Sequence, residues 1–260
     1  AAVIIFGWRS LLVTGVCVGT CVLSEWAFEK LTERNSTVKD LSAVVTGMLL
    51  AFSLPVSIPV WQAVVGSVAA IIVVKQLFGG IGHNFANPAV TGRIIMFMAF
   101  STSMTNWTMP DAVTSATPLA LITSGSTGQL PSYIDMLLGK HGGSFGETCI
   151  ITLLIGGAYL LVRGVITWHA PVTFIGTVAL FSLVTDGNPL YQVLSGGVVL
   201  ASFFMATDYS TTPSTSWGKI IFGVGCGLIT MIIRIWGNYP EGVSFAILLM
   251  NILTPYISKW

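Results

Sequence analysis

Long apolar segments recur along this chain, separated by short polar breaks. A membrane-crossing helix needs about 20 apolar residues, fewer where it is broken or half-buried. On that measure spans are predicted over 10–27, 41–54, 59–77, 88–104, 146–162, 165–185, 190–206, 218–236 and 242–258. Ala1 to Gly7 reads as the tail of a further apolar helix, with a leading segment missing from this numbering. The expected fold is therefore an all-α polytopic membrane protein of about ten transmembrane helices, the first mostly missing, forming one domain over 1–260. The segment 41–54 is short and stops at Pro55, so it is expected to be a half-helix continued by extended chain to Pro59.

An internal repeat supports this count. Gly47-Met-Leu-Leu-Ala51 matches Gly197-Val-Val-Leu-Ala201. Trp61 to Gly66, Lys75, Gly82-His-Asn84 and Pro88 loosely match Trp217 to Gly223, Arg234, Gly237-Asn238 and Pro240. The matched spans lie five apart, and an odd offset reverses direction, so the expectation is an inverted repeat of five plus five. A rival match, Pro59 to Gln62 against Pro189 to Gln192, implies a parallel repeat and covers less of the chain.

Composition narrows the class. Apolar residues make up 53% of the 260 and charged residues 8%, and the mean hydropathy is +0.84. Soluble domains carry roughly 25% charge, so a soluble enzyme and a disordered chain are both excluded. A net charge of +1 gives no basic footprint for nucleic acid. Cys17, Cys21, Cys149 and Cys226 lie in apolar segments without CxxC spacing and read as helix packing.

Lys and Arg in the loops set the orientation. Lys30, Arg34, Lys39, Lys75, Arg93, Arg163, Lys219 and Lys259 fall on one side. The long loop 105–145 has the opposite parity and carries only Lys140, so it is expected outside the cytoplasm. Arg9 and Arg234 run against this pattern.

Charges at bilayer depth cost about 2.5–3.5 kcal/mol each on insertion scales, and those that persist have a partner or a task. Lys75 opens a break of three glycines, a histidine and two asparagines, Asn84 and Asn87, before Pro88. Such a break is either a polar pocket for a cofactor or ion, or a tight cytoplasmic turn with Asn87 capping the next helix. Asp208 sits at a span end within Phe204 to Pro213, where an ordinary loop carboxylate also fits. Glu147 and Glu241 follow Gly146 and Pro240 and read as first-turn helix acids favoured by the dipole, or as ion-path carboxylates.

The outer loop holds the string Asp111-Ala-Val-Thr-Ser115-Ala116-Thr117-Pro118-Leu119. Read locally it is a hydroxyl-rich turn ended by proline. As a whole it resembles the site where a flavin transferase attaches FMN to threonine. With Thr46 to Pro55, Lys75 to Pro88, Gly142 to Glu147, Phe204 to Asp208 and Tyr239 to Asn251, it makes nearly the whole chain similar to the D subunits of the Rnf complex. That complex is the ion-translocating ferredoxin:NAD⁺ oxidoreductase of bacterial cytoplasmic membranes. The B subunit of the sodium-translocating NADH:quinone reductase is homologous.

The resemblance implies an electron-carrier subunit of a redox-driven Na⁺ or H⁺ pump, inactive alone. It implies FMN in phosphoester linkage to Thr117, with FAD as donor, and Asp111 and Ser115 in the recognised string. It also raises a second, non-covalent riboflavin. Implied partners are the other Rnf subunits (a second FMN-bearing one, and iron–sulfur and NAD-binding ones), the flavin transferase and membrane lipid. Trp107, Phe85 and Phe100 are candidates by type for the bed of the flavin ring. A stand-alone solute channel or transporter shares the architectural traits, but has no use for the flavinylation string; a cofactor-free scaffold is the third reading, tested by whether the purified protein is yellow and fluorescent.

Overall fold

The computed structural model describes residues 1–107, 116–125, 130–185, 187–237 and 242–258. All regular structure among them is helical. In chain order the helices are α1 (Ala2–Phe6), α2 (Trp8–Leu31), α3 (Ser42–Phe52), α4 (Val60–Val68), α5 (Pro88–Ala99), α6 (Ser101–Met104) and α7 (Pro118–Thr123). They continue as α8 (Tyr133–Leu138), α9 (Ile150–Val162), α10 (His169–Val184), α11 (Pro189–Leu194), α12 (Val198–Leu200), α13 (Ser216–Trp236) and α14 (Val243–Ile257). Two are interrupted in register: α4 runs on as a π-helix over Ala69–Gln76, and α12 as one over Ala201–Met205.

Every apolar segment read from the sequence falls on helix. By length and apolarity α2 and α13 are long enough to cross a membrane, whereas α3, α4 with its π segment, α5, α9, α10 and α14 are shorter. The boundaries have local causes. Asn87 and Asn188 each cap a helix that opens on proline, at Pro88 and Pro189. Proline at the first helical position has no amide to leave unsatisfied, and the Asn side chain accepts from the amides that follow. The half-helix α3 ends at Phe52 as expected, and its open carbonyls are met by other segments. Gly146 N donates to Phe52 O at 3.1 Å, Ser144 Oγ to Ser53 O at 3.3 Å and Phe145 N to Leu54 O at 3.4 Å. A side chain at Gly146 would meet the Phe52 carbonyl at 2.7 Å, so this approach requires glycine.

Two apolar cores result. One gathers Val13, Cys17, Leu50, Leu54, Ala70 and Met96 around α2 to α5. The other gathers Phe174, Val178, Phe222, Cys226 and Ile247 around α9 to α14, and takes in Val90 and Ile94 of α5. Helix α5 is thus the seam. It also packs on α14, where Phe97 meets Phe245 edge-on at 6.3 Å.

The two arginines that oppose the loop-charge pattern are explained here. Arg9 Nε donates to Val56 O at 2.9 Å, and its Nη2 reaches Ser57 O and Ile58 O. Arg234, buried, donates to Gln192 O at 2.6 Å, Gln192 Oε1 at 2.9 Å and Ser195 O at 3.0 Å. Both side chains satisfy carbonyls freed at a break in a helix. In an apolar surrounding those carbonyls have no water to turn to, so these charges serve the backbone rather than mark a loop.

Candidate functional site

Three polar clusters interrupt the apolar bundle, and the predicted site residues divide among them. The first joins the two halves. Asn87 Oδ1 accepts from the amides of Ala89 and Val90, and its Nδ2 donates to Met205 O at 3.4 Å. Asn84 Nδ2 donates to Ala86 O and to Ser210 Oγ, and Ser210 donates to Asp208 Oδ2 at 3.1 Å. Asn251, with its amide oriented to satisfy both contacts, accepts from Asn87 N at 3.0 Å and donates to Thr211 O at 3.2 Å. The breaks at 77–87 and 206–213 are therefore one network. Asn87 is the helix cap of the local sequence reading. Asp208 also takes the Thr211 hydroxyl at 2.9 Å, so it organises its own turn. Beside that turn, Thr207, Tyr209, Thr212, Ser214, Thr167 and Lys219 help to line a cavity of about 300 Å³, at the lower end of ligand pockets.

The second cluster surrounds Lys75. This lysine is 2% exposed, and its ammonium pairs with Glu25 Oε1 at 2.6 Å and with Ser42 Oγ at 2.6 Å. Gln76 Nε2 donates to the same Glu25 oxygen at 2.8 Å and to Glu29 Oε1 at 3.4 Å. The sequence reading singles out Lys75 and misses both carboxylates. Glu25 lies one turn beyond Cys21 on the same buried face, so an acid accompanies the packing cysteines of α2. The signal is there: two glutamates four apart, in an otherwise apolar helix, need a partner.

The third cluster is on the side of the 105–145 loop. Glu147 is 5% exposed and its Oε1 accepts from Ser144 N at 3.0 Å. The first-turn reading of Glu147 is corrected: α9 begins at Ile150 after a Cys149 cap, and its first turn holds no acid. Glu147 precedes the helix because 144–147 form a turn, closed by Glu147 N onto Ser144 O at 3.0 Å, whose amides meet the end of α3. Its Oε2 has no hydrogen-bond partner among the described residues and lies over Gly197; a Cβ there would stand 2.7 Å away. Gly196 and Gly197 both take positive φ, 63° and 71°, which favours glycine. A Cβ at Gly196 would collide with the Leu119 side chain and lie 2.6 Å from Arg234 Nη2. Glu147, Arg234 and the helix that starts after Thr117 thus meet on one glycine pair. His141 in the same segment is buried, its Nδ1 at 3.0 Å from Gly142 O, and burial pushes its imidazole below the ordinary value.

Thr117 itself is the N-cap of α7. Its Oγ1 accepts from Ala120 N at 3.2 Å. In the structure this outer-loop threonine is 7% exposed: capping turns its oxygen back onto the helix, and that helix packs on α11 and the Gly196–Gly197 pair. Asp111, Ser115 and Glu241 lie outside the described residues. Among the aromatic candidates, Phe100 packs on Trp61 at 5.0 Å and Trp107 is buried, both at the end of α5 that leads toward Thr117. Phe85 packs on Phe78 at 4.7 Å at the other end. The 12 residues of α5 separate the two ends, about 18 Å at 1.5 Å per residue, so Phe85 does not fit a bed for a ring tethered at Thr117. An aromatic pair absent from the sequence reading lies nearer: Tyr133 and Tyr191 at 4.7 Å, on α8 and α11, the latter packed against α7.

The likeness to known proteins runs the length of the chain. It matches the family described as NQR2, RnfD, RnfE over residues 1–260. It is 48% identical to the D subunit of the Na⁺-translocating ferredoxin:NAD⁺ oxidoreductase complex of Acetobacterium woodii, over 98% of this chain and 82% of that protein. It is 40% identical to the D subunit of the proton-translocating ferredoxin:NAD⁺ oxidoreductase complex of Clostridium ljungdahlii, over 98% and 83%. It is 35% identical to the D subunit of the ion-translocating oxidoreductase complex of Halorhodospira halophila, over 98% and 84%.

Proposed function

This chain belongs to the NQR2, RnfD, RnfE family, and on that footing we propose that it is the flavin-bearing, electron-carrying membrane subunit of a redox-driven ion pump. Its relatives are named as D subunits of ion-translocating oxidoreductase complexes. By that kinship the chain is a subunit of a ferredoxin:NAD⁺ oxidoreductase translocase, and the other subunits of such a complex are its partners.

The finer reading concerns Thr117. It closes the string that starts at Asp111, and we assign FMN to its hydroxyl as a phosphoester. The residues fit such a tether. Among the described contacts the Thr117 oxygen acts as an acceptor, from Ala120 N, and an ester oxygen keeps that capacity. Bound there, FMN supplies one-electron transfer; the protein supplies position and surroundings. The observation that carries the reading is where Thr117 sits: its helix packs on the Gly196–Gly197 break beside Glu147. The tether would thus be anchored beside a buried carboxylate and a helix whose backbone is already interrupted. Glu147 is the ion-path residue this arrangement favours, with Asp208 and Lys75 in the clusters on the other side.

The remaining expectations belong to the same proposal. The chain forms one transmembrane domain in a bacterial cytoplasmic membrane, with 105–145 outside, where an exported transferase works. The inverted repeat of five plus five belongs to the same reading, and α10 packs on α13 as α2 packs on α4, the pairing that the repeat requires. A non-covalent riboflavin is a further cofactor to look for, and the cavity beside Asp208 is a candidate place for it. The relatives' names differ on Na⁺ and H⁺, so kinship alone does not choose the ion.

The test is mass spectrometry of the peptide containing Thr117, from protein made with its native transferase. An added mass of FMN less water is expected, lost in Thr117→Ala while the complex still assembles. An unmodified peptide beside a demonstrably active transferase would overturn the covalent-flavin reading in favour of a transporter or scaffold.

A further inference from the structure

The cluster around Lys75 contains one negative charge more than it balances. Glu25 is fully buried and Glu29 is 3% exposed, both on α2. Lys75 reaches Glu25 and not Glu29 in the hydrogen-bond pattern. The Glu29 carboxylate is held by the amide and hydroxyl of Thr37. That hydroxyl also lies 3.3 Å from Glu25 Oε1, and it has a single proton, so it can donate to only one of the two acids. Gln76 Nε2 has two protons and donates to both carboxylates, but it brings no charge. The other charges nearby do not close the account. Arg34 is exposed, its Nη1 donating to Gln76 O and its guanidinium over the Phe28 ring. Asp40 holds the Ser42 amide and hydroxyl, Lys30 lies over Trp26, and Cys21 is the nearest titratable neighbour on α2.

A second observation points to a ligand. Glu25 Oε2 is buried and has no hydrogen-bond partner among the described residues. Carboxylates taken out of water are paired or bind a cation, and this oxygen does neither with any described side chain. We propose that Glu25 and Glu29 bind one exchangeable sodium ion, with Lys75 as the fixed countercharge for the second carboxylate. The loop 32–41 that covers the site lies on the side rich in Lys and Arg, so the cation exchanges with the cytoplasm. Binding does not depend on the function proposed above; only its role as an intake point for the pumped ion rests on that reading.

The experiment follows the unfolding midpoint of the purified complex with sodium as the probe, exchanged for choline at constant ionic strength and pH. A ligand that binds the native state raises the midpoint with the logarithm of its concentration. The wild-type midpoint is expected to climb with Na⁺, and Glu29→Gln to abolish the climb, since that site is neutral with Lys75 alone. A wild-type midpoint indifferent to Na⁺, or equal Na⁺ responses in wild type and Glu29→Gln, would overturn the proposal. Carbodiimide labelling of Glu25 and Glu29 in the unaltered complex guards against a variant that fails to fold. Protection by Na⁺ supports the site, and indifference to Na⁺ overturns it. Flavin on the Thr117 peptide is read from the same preparation; its absence beside an intact cation response would remove the electron-carrier reading and leave the site standing.

Discussion

At the scale of single residues, the buried charges decide most. Lys75 to Glu25 is the one ion pair among the described residues, with side chains 3% and 0% exposed. Removing one member of such a pair strands the other in an apolar surrounding, at about 3–5 kcal/mol. Lys75→Met should therefore lower the melting point of the complex sharply, and Glu25→Gln in the same chain should restore a large part of the loss. Additive losses in that double change, followed by thermal unfolding, would mean that the pair is not coupled. Legibility at this scale is uneven for a physical reason. Asn87 before Pro88 declares itself as a cap because cap chemistry is local. Lys75 declares itself as a buried cation, but its partner stands 50 positions away, and only the fold brings the two together. Thr117 is legible as a tether through its string, not as a buried cap, because burial depends on α11 and its glycine pair.

At the scale of elements, helix positions are legible because apolar segments bounded by Asn-Pro, Gly and Lys or Arg leave few alternatives. The π-helical stretches at Ala69–Gln76 and Ala201–Met205 are not, since the inserted residue answers to neighbouring helices rather than to its own sequence. Close crossings belong to this scale as well. Helix α13 meets α10 through Gly223 and Gly227, spaced four apart. A Cβ on Gly227 would stand 2.6 Å from Thr177 Cβ and 3.0 Å from the Phe174 carbonyl. Small residues at this spacing let helix backbones approach in a lipid surrounding. Gly227→Leu should then force α10 and α13 apart, at about 1–3 kcal/mol or more, read as a lower midpoint and reduced yield. Gly176→Leu is the matched control on α10, because nothing lies within 4 Å of a Cβ there. Equal losses in the two variants would show that the crossing is not set by Gly227.

At the scale of the whole molecule, orientation and mechanism are tied together. In the proposed orientation 30–40 face the cytoplasm and 105–145 lie outside, and the two charges that oppose it, Arg9 and Arg234, are occupied with backbone carbonyls. That leaves the positive-inside argument stronger than the raw count of charges. The flavin proposal needs this orientation, since an exported transferase reaches Thr117 only from outside. The cation proposal needs it too, since the loop above Glu29 must face the cytoplasm. Single cysteines can decide both at once, because Cys17, Cys21 and Cys226 are buried and Cys149 is half-buried, which keeps background labelling low. Lys140→Cys and Asn35→Cys replace exposed residues on opposite sides. An impermeant maleimide added to intact spheroplasts should label Lys140→Cys at once, and Asn35→Cys only after permeabilisation. The reverse pattern would invert the molecule, put Thr117 beyond the transferase, and leave the Glu25–Glu29 pair facing the side toward which the ion is released.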